Sequence, residues 1–350
     1  MAKQGGSCLG TLLKILLGIV ITVVILVVIA YLVLRFAFGI DVIDIYKKVN
    51  ALRNYDESKI VDSPYTSQDL RSTADKLDAA GLGFLYTEDA EGNISIDINA
   101  QYFDELEDES QWQGLFGNDL KLSGPELAAV VNNIMRGMSE FTDFEIMGLN
   151  VNDLNFQLKQ VKFSDLVTDE VTGYVTVNFN IVASVDIAPI KELIEEHGFG
   201  FANRWLPDKL YISSTNTITQ IGDCDYTVEH AGVGLNNLDA KGTQELFDLI
   251  GRYADIGNLA DLNQPIGELF ANILIGNTEN PAGFVYLLTQ PQSDDPMYAN
   301  ASRLADGFTF EEIDGVVNFV IKRNPEVGQI GVLISPGPLF AVAPLNLLAA

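Results

Sequence analysis

From Val171 to Ile187 the chain alternates with strand period for seventeen residues. The odd positions read Val171, Gly173, Val175, Val177, Phe179, Ile181, Ala183, Val185 and Ile187. The even positions are mostly polar: Thr172, Tyr174, Thr176, Asn178, Asn180, Val182, Ser184 and Asp186. At about 3.3 Å per residue such a strand would run roughly 55 Å, against about 5–6 residues for an ordinary one. Its upstream neighbour alternates too, through Leu154, Phe156 and Leu158, then Val161 and Phe163. The phase slips at Lys159-Gln160, which predicts a β-bulge. Segments 209–221 and 225–235 continue the pattern. Together they predict a long, bent antiparallel meander.

Helices punctuate it, so the expected class is α+β: a long-stranded, curved antiparallel sheet packed with helices. Val42, Ile45, Tyr46, Val49 and Leu52 recur at helical spacing. Residues 54–65, with Ser63-Pro64, read as a linker. A helix is predicted over 67–80, stopped by Gly81. Segments 83–86 and 94–98 read as a hairpin around Gly92-Asn93. Ser123-Gly-Pro-Glu126 has capping-box spacing, followed by Leu127, Val130, Val131, Ile134, Met135 and Met138 on one stripe. Further helices are expected at 189–197, around Leu246–Tyr253, and after Pro265. Late strands are expected at 283–288 and 315–322. After Glu326 the chain is uncharged and carries Pro336, Pro338 and Pro344, which argues against a membrane span and for a tail laid across the core.

A twenty-residue uncharged run, Ile15–Leu34, lies between Lys14 and Arg35. At about 1.5 Å per residue it reaches roughly 30 Å, the thickness of a bilayer core. It is longer than the apolar region of a cleaved signal peptide and lacks an Ala-x-Ala exit, so it reads as an uncleaved signal-anchor. Flanking Lys and Arg are nearly balanced, and the short N-terminal stub points to N-inside, C-outside. The expected organisation is a stub (1–10), a transmembrane helix (11–38), a juxtamembrane helix and linker (39–66), and an extracytoplasmic α+β domain (67–350) with a possible sub-boundary near 255.

The chain holds 21 Lys+Arg against 48 Asp+Glu. Three of those bases and none of the acids precede residue 41, leaving residues 41–350 at −30. That field repels phosphate backbones and excludes nucleic-acid binding. It also keeps the domain off anionic headgroups, except where a local basic patch survives. Cys8 and Cys224, the only cysteines, would lie on opposite sides of the membrane. An outside domain without a disulfide fits a bacterial envelope better than an animal secretory pathway.

Catalytic and metal motifs are missing. His197 and His230 fall in no His-Glu-x-x-His pattern, no Cys-x-x-Cys exists, and there is no Gly-x-Ser-x-Gly or Walker loop. Gly232-Val-Gly234 lacks the third glycine of a dinucleotide fingerprint. The acidic run at Asp104, Glu105, Glu107, Asp108 and Glu109 matches no calcium loop. No catalytic, cofactor or metal residue is assigned. With 48 acids, paired carboxylates of an envelope hydrolase stay open as a third reading.

The alternating strand offers the one candidate surface. Val175, Val177, Phe179, Ile181, Val185 and Ile187 either fill a plain core or face an elongated apolar groove. The anchor, the segment Leu-Lys-Leu-Ser-Gly-Pro-Glu-Leu-Ala-Ala-Val-Val-Asn (120–132), the long strands, and Leu-Pro-Asp-Lys-Leu-Tyr-Ile-Ser-Ser (206–214) resemble membrane-anchored Gram-positive envelope proteins of the tubular lipid-binding (TULIP-like) fold. The resemblance spans about residues 67–255 and carries over no functional residue. It implies a curved sheet wrapped round a helix and enclosing an apolar channel. The expected function is therefore a tethered protein that binds or shields a hydrophobic ligand, most simply lipid, without catalysis or cofactor. The alternative is a structural or protein-interaction module with a filled core.

Overall fold

A computed structural model describes residues 42–96, 117–137, 145–146, 149–196, 198, 200–223, 225–254, 271–272, 274–276, 284–289 and 305–325. The order is α1 (Val42–Arg53), α2 (Glu57–Ile60), α3 (Ser67–Ala80), β1 (Tyr86–Glu88), β2 (Ile94–Ile96), β3 (Leu120–Ser123) and α4 (Gly124–Gly137). Then follow β4 (Glu145–Ile146), β5 (Leu149–Asn150), β6 (Gln157–Thr168), β7 (Val175–Asp186), α5 (Ala188–Glu196), β8 (Lys209–Gln220) and β9 (Tyr226–Leu235). The series ends with α6 (Ala240–Ala254), α7 (Phe284–Thr289), β10 (Ala305–Ile313) and β11 (Val316–Arg323). The protein is α+β with curved antiparallel sheets and few helices.

The meander forms as its alternation predicts. Strands β6-β7-β8-β9 pair antiparallel in sequence order. The register shifts between Leu158 and Gln160, where the phase slip lies in the sequence. Further shifts fall between Ser164 and Val167, and opposite Thr215/Asn216. Each extra residue bends its strand and increases the twist, which is how the sheet curves. A second sheet, β10-β11-β3, lies against the first. One continuous core joins both sheets and their helices.

Several expectations need correcting. Strand β7 is twelve residues long, not seventeen. The carboxylate of Asp169 accepts from the Val171 and Thr172 amides at 2.9 and 2.7 Å, and Gly173 takes φ +75°. The first alternating residues therefore belong to the hairpin turn. Segment 284–289 is a helix rather than a strand. Its Phe-Val-Tyr-Leu-Leu run has no polar phase to identify the period. The tertiary contacts choose helix: Val285 is buried and the Tyr286 amide donates to the Ile275 carbonyl at 2.8 Å. In the first hairpin, strand begins only at Tyr86, and Gly83–Leu85 form a 3-10 turn. Strands β3 and β10 were not expected. The anchor run Ile15–Leu34 and the tail after Glu326 lie outside the described residues, as do Ile266, Leu269, Phe270 and Ile273 of the helix expected after Pro265. Of that helix Ala271, Asn272 and Leu274 are described and helical, and the Ile275 amide donates to the Ala271 carbonyl at 2.7 Å. Among the described residues no helix is long and apolar enough to cross a membrane.

Residues 54–63 are a strap rather than a free linker. Val61, Tyr55 and Ile60 pack on Val182 and Tyr211, on the face of the meander away from the main core. The Tyr55 and Tyr211 rings lie 5.2 Å apart. Gln160 Oε1 accepts from the Asp62 and Ser63 amides at 2.8 and 2.9 Å. At the same end, buried Asn236 clamps α1 to the sheet. Its Nδ2 donates to the Leu52 carbonyl at 2.5 Å, and its Oδ1 accepts from the Tyr211 amide at 2.6 Å. The left-handed backbone here (φ 49°) suits asparagine. Asn236→Ala is expected to cost about 2–4 kcal/mol by orphaning two buried backbone groups and straining φ. Asn236→Gly relieves only the strain. Urea unfolding of the two variants separates the contributions.

Candidate functional site

The inner face of β7 is where a groove was expected. Val175, Val177, Phe179, Ile181, Val185 and Ile187 all point inward and are 0–5% exposed. Strand β10 and the turn at Val151–Leu154 both lie against β7, and β11 lies against β6. Phe310 meets Phe163 of β6 edge-on, with centroids 5.1 Å apart. Phe308 and Phe310 each pack on Phe319, at 6.0 and 5.4 Å, and Tyr226 of β9 closes on Phe308 at 6.2 Å. These rings belong to the core cluster shared by the two sheets.

Helix α4 covers the beginning of β6. Its N-terminus enters closely enough that a Cβ on Gly124 would strike the Val161 carbonyl. Buried Asn132 then fastens the bulge, since its Nδ2 donates to the Leu158 carbonyl at 2.6 Å while its Oδ1 accepts from the Leu158 amide at 2.9 Å. The predicted capping box is present. Glu126 Oε2 accepts from the Ser123 amide at 2.7 Å, and the Glu126 amide donates to Ser123 Oγ at 3.4 Å. Beyond that expectation, the same carboxylate takes Ser72 Oγ at 2.6 Å and Lys76 Nζ at 2.7 Å from α3. Burial opposes its charge most strongly, yet Lys76, Ser72 and the Ser123 amide together hold the carboxyl below its ordinary range.

The inner wall is not uniformly apolar. On β8, Ser214, Asn216 and Gln220 point inward beside the apolar residues of β7, and all three are buried. Asn216 Nδ2 donates to Ser214 Oγ at 3.0 Å, and its Oδ1 meets His230 Nδ1 at 2.7 Å. Gln220 Nε2 donates to the Phe308 carbonyl at 2.7 Å, tying the two sheets together. A channel shaped for an acyl chain would expose such groups to hydrocarbon, where an unsatisfied one is costly. Here Ser214, Asn216 and Gln220 Nε2 find protein partners, while Gln220 Oε1 is buried without one among the described residues.

The outer face is polar and cross-linked. Gln160 Nε2 donates to Asn180 Oδ1 at 2.8 Å, and Thr217 Oγ1 to Asn178 Oδ1 at 2.7 Å. Under the strap, burial pushes the Lys159 ammonium below its ordinary value, against the pull of Glu57 and Asp186. Burial likewise raises the Tyr211 phenol.

His230 stands in β9 as expected, bonded to Asn216. His197, Cys224 and the acidic run at 104–109 lie outside the described residues. Among the described residues no group of three or more His, Cys, Asp or Glu side chains is placed to hold a metal ion. The residues that sequence reasoning missed are Phe308, Phe310 and Phe319. A signal for them exists: Phe308-Thr-Phe310 alternates into Asp314-Gly315, a two-residue turn with both φ positive (52° and 79°). No protein family, curated protein or solved structure matches this chain.

Proposed function

We propose that the chain is a non-enzymatic interaction or structural module of the cell envelope, with a filled core, held outside a membrane by the span at Ile15–Leu34. The observation that supports this reading is the burial of all six candidate ligand-facing residues in one core cluster that also holds Phe308, Phe310 and Phe319 of this same chain. The hydrogen bonds between Ser214 and Asn216, and from Gln220 Nε2 to the Phe308 carbonyl, support it further. The anchor, the signal-anchor topology with N-terminus inside, and the bacterial envelope rest on the apolar run, the short stub and the cysteine usage.

One observation favours a second reading. The meander is bent by its bulges, as the resemblance to tubular lipid-binding proteins implies, and a bent sheet can open to admit lipid. Native mass spectrometry of a fragment starting at Gly39, which lacks the span and its surrounding lipid, separates the two. The expected result is the mass of the polypeptide alone. A stoichiometric lipid adduct would move the assignment to lipid shielding.

A further inference from the structure

The strap covers only one half of the meander's outer face. It lies over Val182 and Tyr211, close to the end where Asp186 pairs with Lys209. The other end, where Thr176 pairs with Thr219, is about 33 Å further along at ~3.3 Å per residue. There no element among the described residues covers the outer face, and apolar side chains are exposed. Val167 is 62% exposed, Val171 93% and Ile221 56%. Val167 shares the outer-face row with Thr176, and Ile221 lies two residues past Thr219. Val171 caps the intervening hairpin. Two different hairpins thus contribute exposed apolar side chains at this end of the sheet.

Charge is segregated along the same axis. No Lys or Arg occurs in residues 163–180 or 214–230, which make up the far end. Asp165, Asp169, Glu170, Asp223, Asp225 and Glu229 all lie there. The lysines of the sheet and its flanks, Lys159, Lys162, Lys191 and Lys209, gather at the strap end and are paired there, for example Lys162 with Asp62 and Lys191 with Asp208. An apolar centre rimmed mainly by carboxylates repels a second copy of itself and repels anionic lipid alike. It complements a cationic surface with an apolar centre.

We infer that the far end of the meander is the docking surface for a Lys/Arg-rich amphipathic segment of another protein. This rests on the interaction-module reading above and names its partner's chemistry. Because α1 enters from the opposite end, the surface is turned away from the segment that leads to the anchor. The centre of the contact is Val167, Val171 and Ile221, and the rim is Glu170 and Glu229, which are also exposed.

The test uses the full chain in nanodiscs of uncharged phosphatidylcholine and a fluorescent amphipathic peptide of leucine and lysine as probe. Anisotropy is read at about 0.15 M salt, where long-range attraction is screened beyond roughly 8 Å. Saturable binding is expected. The pair Val171→Ser with Ile221→Ser should weaken it by about tenfold or more, as should Glu170→Lys with Glu229→Lys. The pair Glu192→Lys with Glu196→Lys on α5 makes the same change in net charge at the other end, and should weaken it by less than about twofold. Surface changes of this kind leave folding intact to within about 0.5 kcal/mol. Equal weakening by the α5 pair would reduce the binding to diffuse net charge and overturn the proposal. Absence of saturable binding would overturn it too, as would an effect of the serine pair on self-association alone. A lipid adduct on the fragment would instead overturn the reading beneath it while leaving these peptide results to stand or fall separately.

Discussion

Phe179→Ala is expected to lower the unfolding free energy by about 3–5 kcal/mol, the usual cost of removing a fully buried aromatic ring. Phe179 is 1% exposed and sits at the middle of β7, opposite Phe163 on one side and Asn216 on the other. Both neighbouring strands hold their backbones by ladder hydrogen bonds, so the walls collapse little and a void remains. The void would be mostly apolar and would stay dry, which makes it a receptor for small hydrocarbons. Urea unfolding followed by circular dichroism gives the loss, and a rise in the variant's melting temperature with benzene, absent in the wild type, identifies the void. The experiment bears on function as well. A ring that lines an open groove already faces space, so its removal would cost well under about 2 kcal/mol and benzene would add nothing new. A small loss would therefore count against the filled-core reading.

Much of this arrangement is legible before any coordinates, and the reason is local. The β6–β7–β8–β9 meander declares itself through period-two alternation, because one face of each strand must be apolar wherever a core lies beneath it. The slip at Lys159-Gln160 marks the first bulge for the same reason. The Ser123–Glu126 cap is visible because both partners lie within one turn. Illegible features depend on distant pairing. Strand β3 is four residues long and gains its identity only by pairing with β11, some two hundred residues later. The strap shows no period, since Tyr55, Ile60 and Val61 contact the sheet one by one. The residues of β7 suit a groove or a core equally, and the Phe308 and Phe310 that share their cluster lie on a strand that enters from the far end of the chain. The far end of the meander was equally hidden, because Val167 reaches the outer face only through the bulge at Ser164–Val167, where Asp165 takes φ 53°.

Glu126 carries the second large effect. It joins α3 to α4 at the point where α4 enters the core, and its carboxylate is the shared acceptor for Ser72, Lys76 and the Ser123 amide. Glu126→Ala removes a helix cap, worth about 1 kcal/mol, and leaves the Ser123 amide and Ser72 hydroxyl without their acceptor. The expected total is about 3 kcal/mol. Glu126→Gln keeps the shape and one acceptor oxygen but loses the charge, so about half of that loss is expected. The pH dependence follows from the direction of the carboxyl's shift. Its pKa in the folded protein lies below the unfolded value, so the native state favours the ionised form. That stabilisation is complete above the unfolded pKa, about 4.3, and is lost as pH falls through the lower folded value. Between pH 7 and pH 5 the difference in stability between wild type and Glu126→Gln should therefore be flat, and below about pH 4.3 it should shrink. The gap is read from urea midpoints at each pH. A constant gap down to the acid transition would mean that the carboxylate's contribution is packing alone and that Lys76 and Ser72 are bystanders. A gap that closes would place the charge itself at the joint between the two helices, and with it the alignment of α4 on the bulged strand β6.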